Sequence, residues 1–147
     1  DREVVMTAVR SCGVALKYAA WTMRDDREDV RSAETQDAAA MNWASDALFE
    51  DRELVLMAVA NSGATLAHAV PALRRDREVV LAAVANDGRA LRFAAATMQA
   101  DREVVLTAVR NWGRAVRFAS LELRCDREVE QAALDRYGLA SCQCAAI

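Results

Sequence analysis

Apolar residues along the chain fall into short clusters at helical spacing, separated at a fixed interval by polar residues. Between Asp101 and Arg124 the first cluster is Val105, Ala108, Val109 and Trp112, a spacing that puts them on one face of a helix. Gly113 follows, and a glycine free to take the left-handed conformation predicts the end of that helix. Beyond it Ala115, Val116, Phe118, Ala119 and Leu123 trace a second apolar face, with Arg114 and Arg117 left for solvent. The pattern predicts two short helices joined at the glycine.

The same pattern recurs without insertion, because Asp-Arg-Glu opens at Asp1, Asp26, Asp51, Asp76, Asp101 and Asp126, each 25 residues after the last. The units are 1–25, 26–50, 51–75, 76–100, 101–125 and a truncated 126–147, with a consensus near DREVVLxAVxNxGRALRFAxxxLRx. All five glycines occupy its thirteenth position (Gly13, Gly63, Gly88, Gly113 and Gly138), and only the second unit departs, with Ala38. The opening Asp suits a helix N-cap, and the Glu two residues later sits near the positive end of the helix dipole. A capping box is excluded: it needs Glu or Gln one residue further on, where Val4, Asp29, Leu54, Val79, Val104 and Val129 stand. Alanine columns, one through Ala8, Ala33, Ala58, Ala83, Ala108 and Ala133 and one through Ala19, Ala44, Ala69, Ala94 and Ala119, predict close helix approach. Helices of about ten residues are marginal alone, so each unit must borrow its core from its neighbours. The predicted fold is all-α: one α-solenoid domain of six 25-residue helix-turn-helix repeats.

The run DREVVLTAVRNWGRAVRFASLELR from Asp101 to Arg124, with near-copies beginning at Asp1, Asp51 and Asp76, resembles the repeat of the family catalogued as domain of unknown function 4116. The resemblance covers essentially the whole chain and implies a helical repeat module used for interaction. It carries over no catalytic residues. The second unit departs from the family pattern in its glycine and several apolar positions, and the sixth in being truncated.

Composition narrows the function classes. With 54 % apolar residues the chain can bury a core of ordinary size, which argues against disorder. A net charge of −3 supplies no basic excess, so broad polyanion binding is disfavoured. No apolar run approaches the roughly 20 residues that span a bilayer, predicting a soluble segment, cytoplasmic or organellar. The sequence opens without Met on a repeat boundary, and the expectation drawn from this is a segment processed from a longer precursor.

The charged motifs have structural readings that compete with functional ones. Stacking aligns Arg2, Arg27, Arg52, Arg77, Arg102 and Arg127, but each lies between two carboxylates, so ion pairing between repeats and helix capping account for the triplet without a ligand. A base-reading array would need a basic track, and its candidates (Arg10, Lys17, Arg24, Arg74, Arg89, Arg92, Arg110, Arg114, Arg117 and Arg124) form interrupted columns. In the second unit Asp29, Arg31 and Glu34 replace Val, Leu and Val, with Asp37 and Ala38 replacing the helix-ending segment. Unpaired burial of such charges is costly. Either that helix meets solvent or a polar partner, or the unit is distorted and its first helix runs on through Ala38 to Ala40. The sixth unit, with Glu130, Gln131, Ser141 and Gln143 in core columns, reads as the C-terminal cap.

The remaining residues point to no chemistry. His68 stands in the column of Tyr18, Trp43, Phe93 and Phe118 and reads as a packing substitute, with no nucleophile and orienting acid placed around it. Cys142 and Cys144 lack the spacing of a zinc site, Cys125 could reach either one, and Cys12 should be free. Trp21 and Trp112 lie in variable columns, where exposed anchors for a partner are expected. The sequence predicts no enzyme, no catalytic residue, no cofactor and no metal. It predicts instead a protein-interaction or scaffolding module, with Asp29, Arg31, Glu34, Asp37, Trp21 and Trp112 as candidate partner contacts. The alternative is an accessory structural subunit docked on a large, membrane-bound or organellar complex, peripherally associated with the membrane. A nucleic-acid-binding repeat comes third.

Overall fold

The computed structural model describes residues 2–36 and 40–137. Six principal helices open the six units: α1 (Arg2–Ser11), α2 (Arg27–Glu34), α3 (Arg52–Asn61), α4 (Arg77–Asn86), α5 (Arg102–Asn111) and α6 (Arg127–Tyr137). From α2 onward each begins where the preceding Asp caps it. Asp76 Oδ1, for example, accepts from the backbone N–H groups of Glu78 (3.0 Å) and Val79 (3.3 Å), and Asp26, Asp51, Asp101 and Asp126 do the same for their helices. Among the described residues there is no strand, and the units stack as an α-solenoid.

The second half of each of the first five units is finer-grained than one short helix. A 3-10 segment comes first (Gly13–Tyr18, Ala40–Trp43, Gly63–Ala67, Gly88–Phe93 and Gly113–Phe118). The chain then extends at the alanine column, with Ala94 at φ −66°, ψ 150° and Ala119 at φ −70°, ψ 159°. A single turn closes the unit, α-helical at Trp21–Arg24, Ala96–Gln99 and Leu121–Arg124 and 3-10 at Asp46–Glu50 and Leu73–Arg75. That extended break exposes a backbone donor, and the stack uses it. Ser45, Ala95 and Ser120 N–H donate to the Arg24, Arg74 and Gln99 carbonyls of the preceding units at 2.8, 3.0 and 2.9 Å, and Val70 N–H to Phe49 O at 3.4 Å.

The core runs continuously along the array, because equivalent columns are buried unit after unit: Val55, Val80 and Val105; Ala58, Ala83 and Ala108; Val59, Val84 and Val109; Leu66 and Leu91. The first unit differs at its outer side. Val4 is 66 % exposed, whereas its equivalents Leu54, Val79 and Val104 are fully buried. Ala8 is exposed where Ala58, Ala83 and Ala108 are not. No described helix is long and apolar enough to cross a membrane.

Two expectations need correction. The helix of the second unit does not run through to Ala40: α2 ends at Glu34, and Ala40 starts the next 3-10 segment. Nor does the glycine column work through a left-handed backbone. Helix ends are made by the residue before it, with Ser62, Asp87 and Trp112 extended at φ of −144°, −138° and −140°. The glycine is required by close approach instead. A Cβ on Gly63 would lie 2.4 Å from the Ala83 carbonyl oxygen, and one on Gly88 2.4 Å from the Ala108 carbonyl oxygen, each belonging to the next unit.

Because the obstructing atom is backbone, Gly88→Ala must push the fourth and fifth units apart. A loss of about 1–3 kcal/mol is expected, in the range of core overpacking, read as a lower thermal midpoint by circular dichroism. An unchanged midpoint would contradict the close-approach account.

Candidate functional site

The Asp-Arg-Glu triplets form a ladder along the solenoid. Each Asp uses Oδ1 to cap its own helix and Oδ2 to accept from the Arg of the preceding unit: Arg27 Nε to Asp51 at 2.6 Å, Arg52 Nε to Asp76 at 2.8 Å, Arg77 Nε to Asp101 at 3.0 Å and Arg102 Nε to Asp126 at 3.4 Å. The same guanidinium reaches the Glu of that next unit, Arg27 to Glu53, Arg52 to Glu78, Arg77 to Glu103 and Arg102 to Glu128. From Arg2 to Arg102 the stripe of arginines is therefore consumed by the array itself.

This pairing sets the acid chemistry. Asp76 and Asp126 are held below the usual carboxylate range first by the hydrogen bonds from Arg52 and Arg102, helped by the backbone donors they cap. For Asp51 and Asp101 burial is the largest single influence and acts upward, but the Arg27 and Arg77 bonds and the capped N–H groups together outweigh it.

A second junction device has no counterpart in the sequence reading. Asn86 Oδ1 accepts from Gly63 N–H at 2.9 Å while its Nδ2 donates to the Ala60 carbonyl at 2.9 Å, so one amide ties off the end of the preceding helix. Asn111 repeats this on Gly88 and Ala85, at 2.9 and 2.8 Å. The signal was available as Asn-x-Gly in three successive units, at Asn61, Asn86 and Asn111. It needed the register between units to be interpreted.

The charged second unit is resolved residue by residue. Asp29 is buried and paired: Arg2 Nη2 donates to both of its carboxylate oxygens at 2.9 Å while also reaching Asp26 at 3.2 Å. Arg31 is half-buried and lies 3.6 Å from Glu53. Glu34 is only 2 % exposed, both of its oxygens lack a hydrogen-bond partner, and burial pushes its carboxyl up to about 7. Asp29 and Glu34, expected as partner contacts, thus face the inside of the array. Asp37 lies outside the described residues.

Of the tryptophans, Trp21 is 71 % exposed, beside Tyr18 at 81 %. Trp112 is half-buried and stacks on Phe118, centroids 6.3 Å apart and planes at 27°. His68 packs its ring against Phe49 at 5.6 Å, a packing role like that of its column. Arg74 and Arg124, two members of the interrupted basic track, donate to their own units' carbonyls at Ala67 and Ala69 and at Arg117 and Ala119. Cys12 is a free, exposed thiol, whereas Cys142 and Cys144 lie outside the described residues, as do Ser141 and Gln143. Among the described residues no group of His, Cys, Asp or Glu side chains comes together as a metal site.

A family model described as Domain of unknown function (DUF4116) matches residues 1–49, 51–99 and 101–144, each match spanning about two of the 25-residue units. No curated protein and no solved structure matches the chain.

Stability should fall on both sides of a mildly acidic optimum. The depressed Asp carboxyls contribute stability that is present above their unfolded pKa of about 3.9 and is lost as pH falls through the folded values. Glu34 acts oppositely, since its folded pKa exceeds its unfolded one: its penalty grows as pH rises from the ordinary 4.5 to about 7 and is complete above that. In thermal melts across pH, Asp76→Asn should keep the cap and flatten the acid limb, while Asp76→Ala should lose about 1 kcal/mol more through the missing cap. Glu34→Val should raise stability at pH 8 by about 1–3 kcal/mol and by much less at pH 5. An equal gain at both pH values would show that the Glu34 carboxyl titrates alike in the folded and unfolded chain, contradicting the upward shift on burial.

Proposed function

The chain belongs to the family described as Domain of unknown function (DUF4116), whose model covers it almost end to end, and on that premise we propose that it is a non-enzymatic helical-repeat module that binds another protein. The observation that supports this is a division of labour between columns. The recurring Asp, Arg and Glu are occupied in junctions. Large apolar side chains in a variable column stand open instead, Trp21 and Leu121, the last 75 % exposed, and Tyr18 of the aromatic column stands open beside Trp21. Exposed aromatics on a rigid scaffold fit the anchors that carry most of an interface's energy.

The second reading is an accessory subunit docked on a large complex, in an organelle or against a membrane-bound assembly. It draws support from the outer side of the first unit, where Val4 and Ala8 are uncovered. There an open hollow of about 620 Å³ is lined by Arg2, Glu3, Val4, Met6, Thr7, Arg10 and Asp29. In either reading shape and surface chemistry do the work, and no bond is made or broken. A nucleic-acid reader ranks third, since the basic columns are interrupted and the ladder arginines are paired.

Isolating the native protein under mild conditions and identifying its companions by mass spectrometry tests the first reading. A stoichiometric protein companion, lost when Trp21→Ala is introduced, is the expected result. A large assembly whose recovery survives Trp21→Ala but fails with Val4→Glu would favour the second. A clean monomer would overturn both.

A further inference from the structure

The cations in the fourteenth and seventeenth columns differ from all others in the array. In a 3-10 helix residues three apart eclipse one another, so Arg89 sits over Arg92 in one unit and Arg114 over Arg117 in the next. The two segments pack side by side, which makes a two-by-two grid. All four arginines are exposed, and among the described residues none of them forms an ion pair. Aromatic rings support three of them. Arg92 lies 4.3 Å from the Phe93 ring centre and Arg117 5.1 Å from that of Phe118. Arg89 reaches across the junction to within 5.6 Å of the Trp112 ring. Trp112 in turn stacks on Phe118, so guanidinium, indole, phenyl and guanidinium form one continuous pile over two units.

A guanidinium resting on a ring keeps its N–H edge free for bidentate contact with a planar anion. Three such edges, with Arg114 beside them, are in a chain of net charge −3 a local reversal of sign that no junction uses. We propose that this arginine grid on the fourth and fifth units is the docking surface for an acidic, extended segment of a partner protein. This rests on the protein-binding reading above and names the chemistry of the partner. Two observations favour carboxylates over nucleic acid. The rings are engaged by the guanidiniums and by each other, which leaves no free aromatic platform for bases. Neighbouring units lie about 8–10 Å apart, and a polyproline-II peptide has three residues per turn and rises about 3.1 Å per residue, so a carboxylate at every third residue stays on one face and meets successive units.

The test is calorimetric titration of the full chain with a synthetic peptide carrying Glu at every third position in a Gly-Ser background, beside an oligothymidylate of equal charge. The expected result is binding of the peptide ahead of the oligonucleotide. Arg89→Gln with Arg117→Gln should weaken it about tenfold or more, whereas Arg10→Gln with Arg75→Gln, an equal charge change elsewhere, should alter it by less than about twofold. Tighter binding of the oligonucleotide, equal losses in both double variants, or no peptide binding would each overturn the proposal. Its failure is separable from that of the protein-binding reading. A native companion that survives the Arg89→Gln, Arg117→Gln variant leaves the module standing without this surface.

Discussion

Everything in the array depends on one carboxylate having two oxygens. In the second to sixth units one oxygen of the opening Asp fixes the start of a helix, and the other is held by the arginine of the unit before. Secondary structure and inter-unit register are thereby decided at the same atom group, and neither can slip without the other. The cap alone would leave short helices free to slide past one another. The ion pair alone, on a solvent-facing edge, would be screened and weak. Joined in one residue, they give a 25-residue period that tolerates no insertion, and none is present.

The parts of this that were legible in the sequence were those carried by a single unit. Asp as cap, Glu as a charge near the helix start, the buried valine and alanine columns and the stacked architecture all follow from periodicity and composition. The parts that were not legible belong to junctions. Gly63 and Gly88 look like helix terminators from within one unit, and only the neighbouring carbonyls of Ala83 and Ala108 reveal them as contact points. Asn86 and Asn111 are plain polar residues until the register places them against the preceding helix end. The 3-10 character of the second half was hidden for a related reason: apolar spacing alone does not distinguish three residues per turn from 3.6 over so short a run.

The second unit shows how the same chemistry absorbs an irregularity. Asp29 replaces an apolar side chain, yet Arg2 shifts from the usual Glu column to grip it with two bonds, so the charge is buried with its counter-ion. Glu34 has no such rescue, because its column faces the apolar seam where no unit carries a cation. One substitution extended the ladder inward, and the other left an orphan. As for the candidate site, the sequence pointed to this unit for its charge, whereas the exposed arginines that form no ion pair among the described residues and lie against rings, Arg89, Arg92 and Arg117, stand in the fourth and fifth units, where the consensus is obeyed most closely.

The amide clamp also gives the solenoid a mechanical grain. Asn86 and Asn111 lock the third unit to the fourth and the fourth to the fifth, on top of the Asp-Arg rungs and the backbone bonds, while the corresponding residue in the second unit is Gln36, facing outward. Each clamped junction thus carries side-chain amide bonds to a neighbouring backbone in addition to its ion pairs, so parting the third, fourth and fifth units means breaking three kinds of contact at once.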